Sequence, residues 1–120
     1  MHKPTVLIID DDPSHLRIYG WIMQSAGFEP LSGPVTLDGV ELPQAKVDLV
    51  LLDYHLKGKM DAAEIAVSLR TRYPGAPILI LSDALMMPPD VAPLADGFVR
   101  KGDPARLVQI VSERLNRQPQ

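Results

Sequence analysis

Short apolar runs that stop abruptly on polar residues constrain this chain more than any other feature. Residues 6–9 (VLII) end at Asp10, residues 47–52 (VDLVLL) at Asp53, residues 78–81 (ILIL) at Ser82 and residues 98–100 (FVR) at Lys101. Consecutive apolar positions rich in β-branched side chains mark strands buried on both faces. Such strands need helices packed on either side, and the intervening segments carry helical spacing. Asp12-Pro13 supplies a cap and a first-turn proline, after which Leu16, Tyr19, Ile22, Met23 and Ala26 recur until Gly27. Asp61 caps a second helix reaching Arg72, with Ala62, Ile65, Ala66 and Leu69 on one face and Pro74-Gly75 closing it. Asp103-Pro104 repeats the first signal ahead of Leu107, Val108, Ile110, Val111 and Leu115. Residues 28–31 read as one more short strand. Between them and Lys46, Gly33, Pro34, Gly39 and Pro43 leave room only for a short or irregular helix. Pro88, Pro89 and Pro93 block a continuous helix between residues 84 and 96. About five alternations of strand and helix predict an α/β domain built on a parallel sheet covered on both faces.

Length and charge narrow the functional classes. A chain of 120 residues suits one domain, residues 1–120, and is too short for two. With 46% apolar residues it can build a core, and with no cysteine neither a disulfide nor a structural zinc is expected. Twelve Lys and Arg against 15 Asp and Glu give a net charge of -3, which offers no cationic footprint for direct nucleic-acid binding. No apolar run approaches the ~18 residues of a membrane span, and Met1-His2-Lys3-Pro4 leads into too short a run for a signal peptide. A cytoplasmic protein is expected.

In open parallel sheets ligands bind beyond the carboxyl ends of the strands, near the switch in strand order. The polar residues that terminate the runs would therefore meet at one edge. Carboxylates gathered there repel one another unless a pKa rises or a hard cation such as Mg²⁺ binds to their oxygens. Magnesium commonly works with a phosphate, toward which Ser82 would donate a hydrogen bond and Lys101 present a point charge. A carboxylate can also act as the nucleophile that forms an acyl phosphate, and Asp53, alone after the most apolar run, is the candidate. Plainer readings stand beside these. Asp10, Asp11 and Asp12 can form a solvated acidic turn with Asp12 as helix cap, and Phe98 can be ordinary core. His15 and His55 each lack a second ligand at metal spacing, so neither is assigned imidazole chemistry. Met86-Met87-Pro88-Pro89 fits a loop packed on the domain better than an exposed contact for a partner.

The runs VLIIDDDPSH, DLVLLD, PILILS and ADGFVRK together resemble the response regulator receiver domain of two-component signalling, in order and spacing over essentially the whole chain. The resemblance implies a (βα)₅ doubly wound, five-stranded parallel sheet of order 2-1-3-4-5, with the stretch that would form the fourth helix irregular or shortened. It implies a domain that takes a phosphoryl group from a histidine kinase or phosphotransfer protein in a Mg²⁺-dependent reaction, and is not a turnover enzyme. Asp53 resembles the phosphoacceptor, Asp11 the direct Mg²⁺ ligand and Asp10 its water-mediated partner. His55 stands where the family uses a backbone carbonyl as a third protein ligand. Ser82 resembles the switch hydroxyl, Lys101 its paired lysine and Phe98 the aromatic switch, without a tyrosine hydroxyl. A downstream protein or output domain would read the change, and a homodimer is possible. Departures from the pattern are Asp83 after the switch hydroxyl, Gly102 where a cis-proline is common, and Lys57 and Ala62-Ala63 in the loop after Asp53. They motivate one rival, a pseudo-receiver that binds proteins without phosphorylation. A second, a haloacid-dehalogenase-type phosphatase with Asp10 as nucleophile and Asp12 as acid/base, lacks the longer chain and later acidic pair of that family. Residues 117–120 read as a tail or the start of a linker.

Overall fold

The structure, a computed structural model, describes residues 3–116; the terminal tail at 117–120 and the first two residues lie outside that range. In chain order the elements are β1 (Thr5–Asp10), α1 (Pro13–Ser25), β2 (Glu29–Thr36), β3 (Gly39–Val40), β4 (Leu49–Asp53), α2 (Ala62–Arg72), β5 (Ile78–Ser82), β6 (Gly97–Arg100) and α3 (Pro104–Asn116), with one 3₁₀ turn at Ala92–Leu94. They form a single sheet of order β3-β2-β1-β4-β5-β6. All neighbours are parallel except β2 and β3. With β3 set aside, the order is the expected 2-1-3-4-5, and the fold is the expected doubly wound α/β sheet.

One detail departs from the expected five-stranded pattern, while the stretch that would form the fourth helix is irregular as expected. The segment before Lys46 contains no helix: β2 continues through Gly33 and Pro34 to Thr36 and folds back as a hairpin onto the two residues of β3, adding a sixth strand. Thr36 builds that turn, its hydroxyl accepting from the Asp38 N–H at 3.3 Å. Between β5 and β6 the prolines leave only the 3₁₀ turn, as their lack of donors requires. The loop is nonetheless anchored, with Val91 fully buried and the Arg70 guanidinium donating to the Leu94 carbonyl. Within the MMPP run, Met86 is exposed while Met87 packs on the core. The third predicted strand also begins later than expected. Asp48 precedes β4 and turns its carboxylate onto the Thr5 N–H at 2.7 Å.

Side chains alternate across the sheet with period two, and each face has its own core. Leu7, Ile9, Val50, Leu52, Ile78 and Ile80 pack against Ile65, Ala66, Leu69 and Tyr73 of the α2 side, with Val35 of the hairpin and Val91 of the loop completing the cover. On the other face Val6, Ile8, Leu49, Leu51, Leu79, Leu81 and Val99 meet Met23 of α1 and Leu107, Val111 and Leu115 of α3. Burial on both faces is what makes the strands continuous apolar runs. The helices start where the caps predict. Asp12 accepts from the Ser14 N–H at 2.8 Å, Asp61 and Glu64 form a reciprocal capping box, and Asp103 accepts from the Arg106 N–H at 3.0 Å. No helix among the described residues is long and apolar enough to cross a membrane.

Candidate functional site

The chain leaves β1 for β2 on one side and later returns to β4 on the other, so the carboxyl ends of β1 and β4 flank the switch in strand order. Asp10 closes β1 and Asp53 closes β4. Asp11 follows immediately on the loop into α1. Oxygens of these three carboxylates lie within 4.8 Å of one another. The Asp11 side chain is fixed by the Lys57 N–H, 3.0 Å away across the loop after β4, and Asp53 Oδ1 accepts from the His55 N–H at 3.4 Å. Lys101, the first residue after β6, reaches Asp53 Oδ1 with its Nζ at 2.6 Å. The turn that follows is made by Gly102, whose φ of +94° suits glycine.

Asp10 and Asp53 are almost completely buried. Burial pushes the Asp10 carboxyl up from 3.8 to about 6; the Asp53 charge adds to this, while the Asp12 N–H, His15 and Lys101 oppose it. For Lys101 burial acts downward, but the hydrogen bond and charge of Asp53 outweigh it and hold the ammonium above its ordinary value. Among the described residues, three carboxylates thus gather where one ammonium, that of Lys101, pairs with one of them, Asp53. An all-oxygen donor set with surplus negative charge fits a hard divalent cation such as Mg²⁺.

The remaining predicted residues are placed less uniformly. Ser82, at the end of β5, is fully buried, and its Oγ has partners other than the carboxylates: the Ala84 N–H at 3.1 Å and His55 Nε2 at 3.4 Å. The His55 ring is therefore a neighbour of Ser82, a contact that the expectation of a backbone carbonyl did not include. Phe98 is half-buried on β6, packed against the α2-side core and lining an open groove with Leu85, Arg106 and Ile110. Asp12 is engaged as the α1 cap, apart from the acidic cluster. His15, assigned no role from the sequence, stacks its Nδ1 on Asp10 Oδ2 at 3.2 Å and brings its Nε2 to 3.6 Å from Asp12. The signal was its position: a residue in the first turn of α1 faces back over the loop it caps.

Comparisons with known proteins bear on the family and the fold. The family model for the response regulator receiver domain matches residues 6–112. Transcriptional regulatory protein GlrR of Escherichia coli K12 and transcriptional regulatory protein QseF of Escherichia coli O157:H7 are each 31% identical over 120 residues, covering 95% of this chain. The chain spans 27% of the length of each. A CheY-like response regulator receiver domain from Methanospirillum hungatei has the same fold, with a TM-score of 0.82 at 21% identity over 97% of this chain and 96% of its own. The response regulator TrrA from Thermotoga maritima, solved in complex with Mg²⁺ and BeF, gives a TM-score of 0.79 at 22% identity over 93% of this chain and 99% of its own. With its acidic cluster at the switch point and its family match over nearly its whole length, the chain belongs to the response regulator receiver domain family of two-component systems.

Proposed function

We propose that residues 1–120 form a single receiver domain that accepts a phosphoryl group on Asp53 from a histidine kinase or phosphotransfer protein, and signals by a change in shape to a partner protein or output domain. The observation that carries this reading is the Asp53–Lys101 contact at the rim of the acidic cluster, since it gives one buried carboxylate a fixed orientation beside a cation. Asp11, Asp53 and the backbone carbonyl of His55 would hold Mg²⁺ directly, with Asp10 acting through water. A bound Mg²⁺ supplies charge neutralisation for the incoming phosphoryl oxygens. Lys101 holds Asp53 Oδ1, and the second oxygen of Asp53, which carries no hydrogen bond among the described residues, is the nucleophile. It forms a bond to phosphorus as the bond to the donor's leaving group breaks, and the electron pair of that bond departs with the leaving group. The product is an aspartyl phosphate, whose new dianion is paired by Lys101 and the Ser82 hydroxyl. Ser82 and Phe98 then pass the change to the surface as a shift between two pre-existing arrangements. Autodephosphorylation would reset the domain.

The test is intact-mass measurement after incubation with Mg²⁺ and acetyl phosphate. Wild type should gain the mass of one phosphoryl group, and Asp53→Asn should gain none while its circular dichroism is unchanged. Labelling of the Asp53→Asn variant would move the phosphoacceptor elsewhere. No labelling of wild type despite measurable Mg²⁺ binding would instead favour a domain that works by protein binding alone.

A further inference from the structure

We propose that His55 is a positioning residue that holds the Ser82 hydroxyl back from the acidic cluster in the unphosphorylated protein. The inference rests on the phosphoacceptor reading above and adds to it a residue that sets how readily Ser82 turns. A serine hydroxyl has one proton to donate and lone pairs to accept. Ser82 is fully buried, so its hydroxyl must find both partners within the protein. The Ala84 N–H at 3.1 Å can only donate, which uses an acceptor site on Oγ. The hydroxyl proton then has one acceptor in reach among the described residues, Nε2 of His55 at 3.4 Å. This fixes the imidazole as the tautomer with its proton on Nδ1.

The ring is itself set in place. Tyr54 N–H donates to the Leu81 carbonyl at 2.9 Å, tying the start of this loop to β5. The Tyr54 ring stands edge-on to the His55 ring at 5.2 Å and 80°, while its hydroxyl donates to Asp90 at 2.8 Å. His55 is thus a lid over Ser82, steadied from β5 and from the proline-rich loop. A phosphoryl group on Asp53 that draws the Ser82 proton to itself has to displace that proton from His55 first. The contact makes the resting arrangement the favoured one.

Two measurements test this. In the ligand-free protein at mildly alkaline pH, long-range ¹H–¹⁵N NMR should show His55 protonated on Nδ1; a proton on Nε2 overturns the proposal, because no acceptor then remains for Ser82. Beryllofluoride affinity at saturating Mg²⁺ should rise about five-fold in His55→Phe, which keeps the lid but removes the acceptor, and stay near wild type in His55→Gln, which keeps an acceptor. In a Ser82→Ala background the difference between His55 and its phenylalanine replacement should vanish. Equal affinities of wild type and His55→Phe, or a gain that survives Ser82→Ala, would refute the role. If wild type binds no beryllofluoride, the phosphoacceptor reading fails; the tautomer, and a shift of the Ala84 amide on His55→Phe, still decide whether His55 holds Ser82.

Discussion

At the scale of single residues, Asp10 shows how the site trades stability for charge. A carboxyl raised to about 6 in the folded state, against 3.8 as its ordinary value, binds more protons folded than unfolded across the interval between those values. Stability therefore falls as pH rises through that window, and above it the full cost, about 3 kcal/mol, is present. Asp10→Asn removes the cost. In EDTA at neutral pH this variant should melt several degrees above wild type, and the gain should disappear below about pH 3, where the aspartate is protonated in both states. Thermal unfolding at a series of pH values checks both halves. A loss of stability in Asp10→Asn at neutral pH would mean that the hydrogen bonds from Asp12 and His15 outweigh the desolvation of the charge.

At the scale of elements, the turn after β4 and the hairpin that stands where a helix was expected behave as one unit. A Cβ on Gly58 would lie 2.5 Å from the Thr36 carbonyl oxygen, a backbone atom that cannot rotate away. Gly58→Ala should therefore cost about 1–3 kcal/mol in urea unfolding, and it should weaken Mg²⁺ binding because the displaced loop carries the Lys57 N–H that holds Asp11. The same elements show what could be read in the residues. Strands buried on both faces and helices begun by an aspartate cap announce themselves locally, so β1, β4, β5, α1, α2 and α3 were all legible. The Asp10, Asp11, Asp53 and Lys101 cluster followed from strand ends alone. The hairpin was not legible, because Gly33 and Pro34 read as breaks and only pairing with β1 carries the strand through them. The contact of His55 with Ser82 was hidden for another reason: it lies across a loop, and neither spacing nor periodicity reports where such a side chain folds back.

At the scale of the molecule, the two ends of the sheet carry separate duties. The carboxyl ends hold the acidic cluster, while at the opposite end Asp96 joins four elements. Its carboxylate accepts from Arg70 of α2 at 2.7 Å and from the Ile78 N–H of β5 at 2.8 Å, its backbone carbonyl accepts from Arg114 of α3, and it leads directly into β6. Asp96→Ala should lower unfolding free energy by about 2 kcal/mol, since a hydrogen bond to a charged group and the partner of a buried residue's backbone N–H are lost together. The folded fraction should still bind Mg²⁺ as wild type does, which calorimetry can show. A matching loss of Mg²⁺ affinity would mean that the two ends are coupled through the sheet. The hairpin bears on how such domains exchange parts. Because the Thr36 carbonyl occupies the space beside Gly58, the loop at residues 54–61 and the hairpin at residues 29–40 are complementary shapes. A chimaera that takes one without the other, from a donor built with a helix in the hairpin's place, brings a side chain or a gap to that contact, so the two segments travel as a pair.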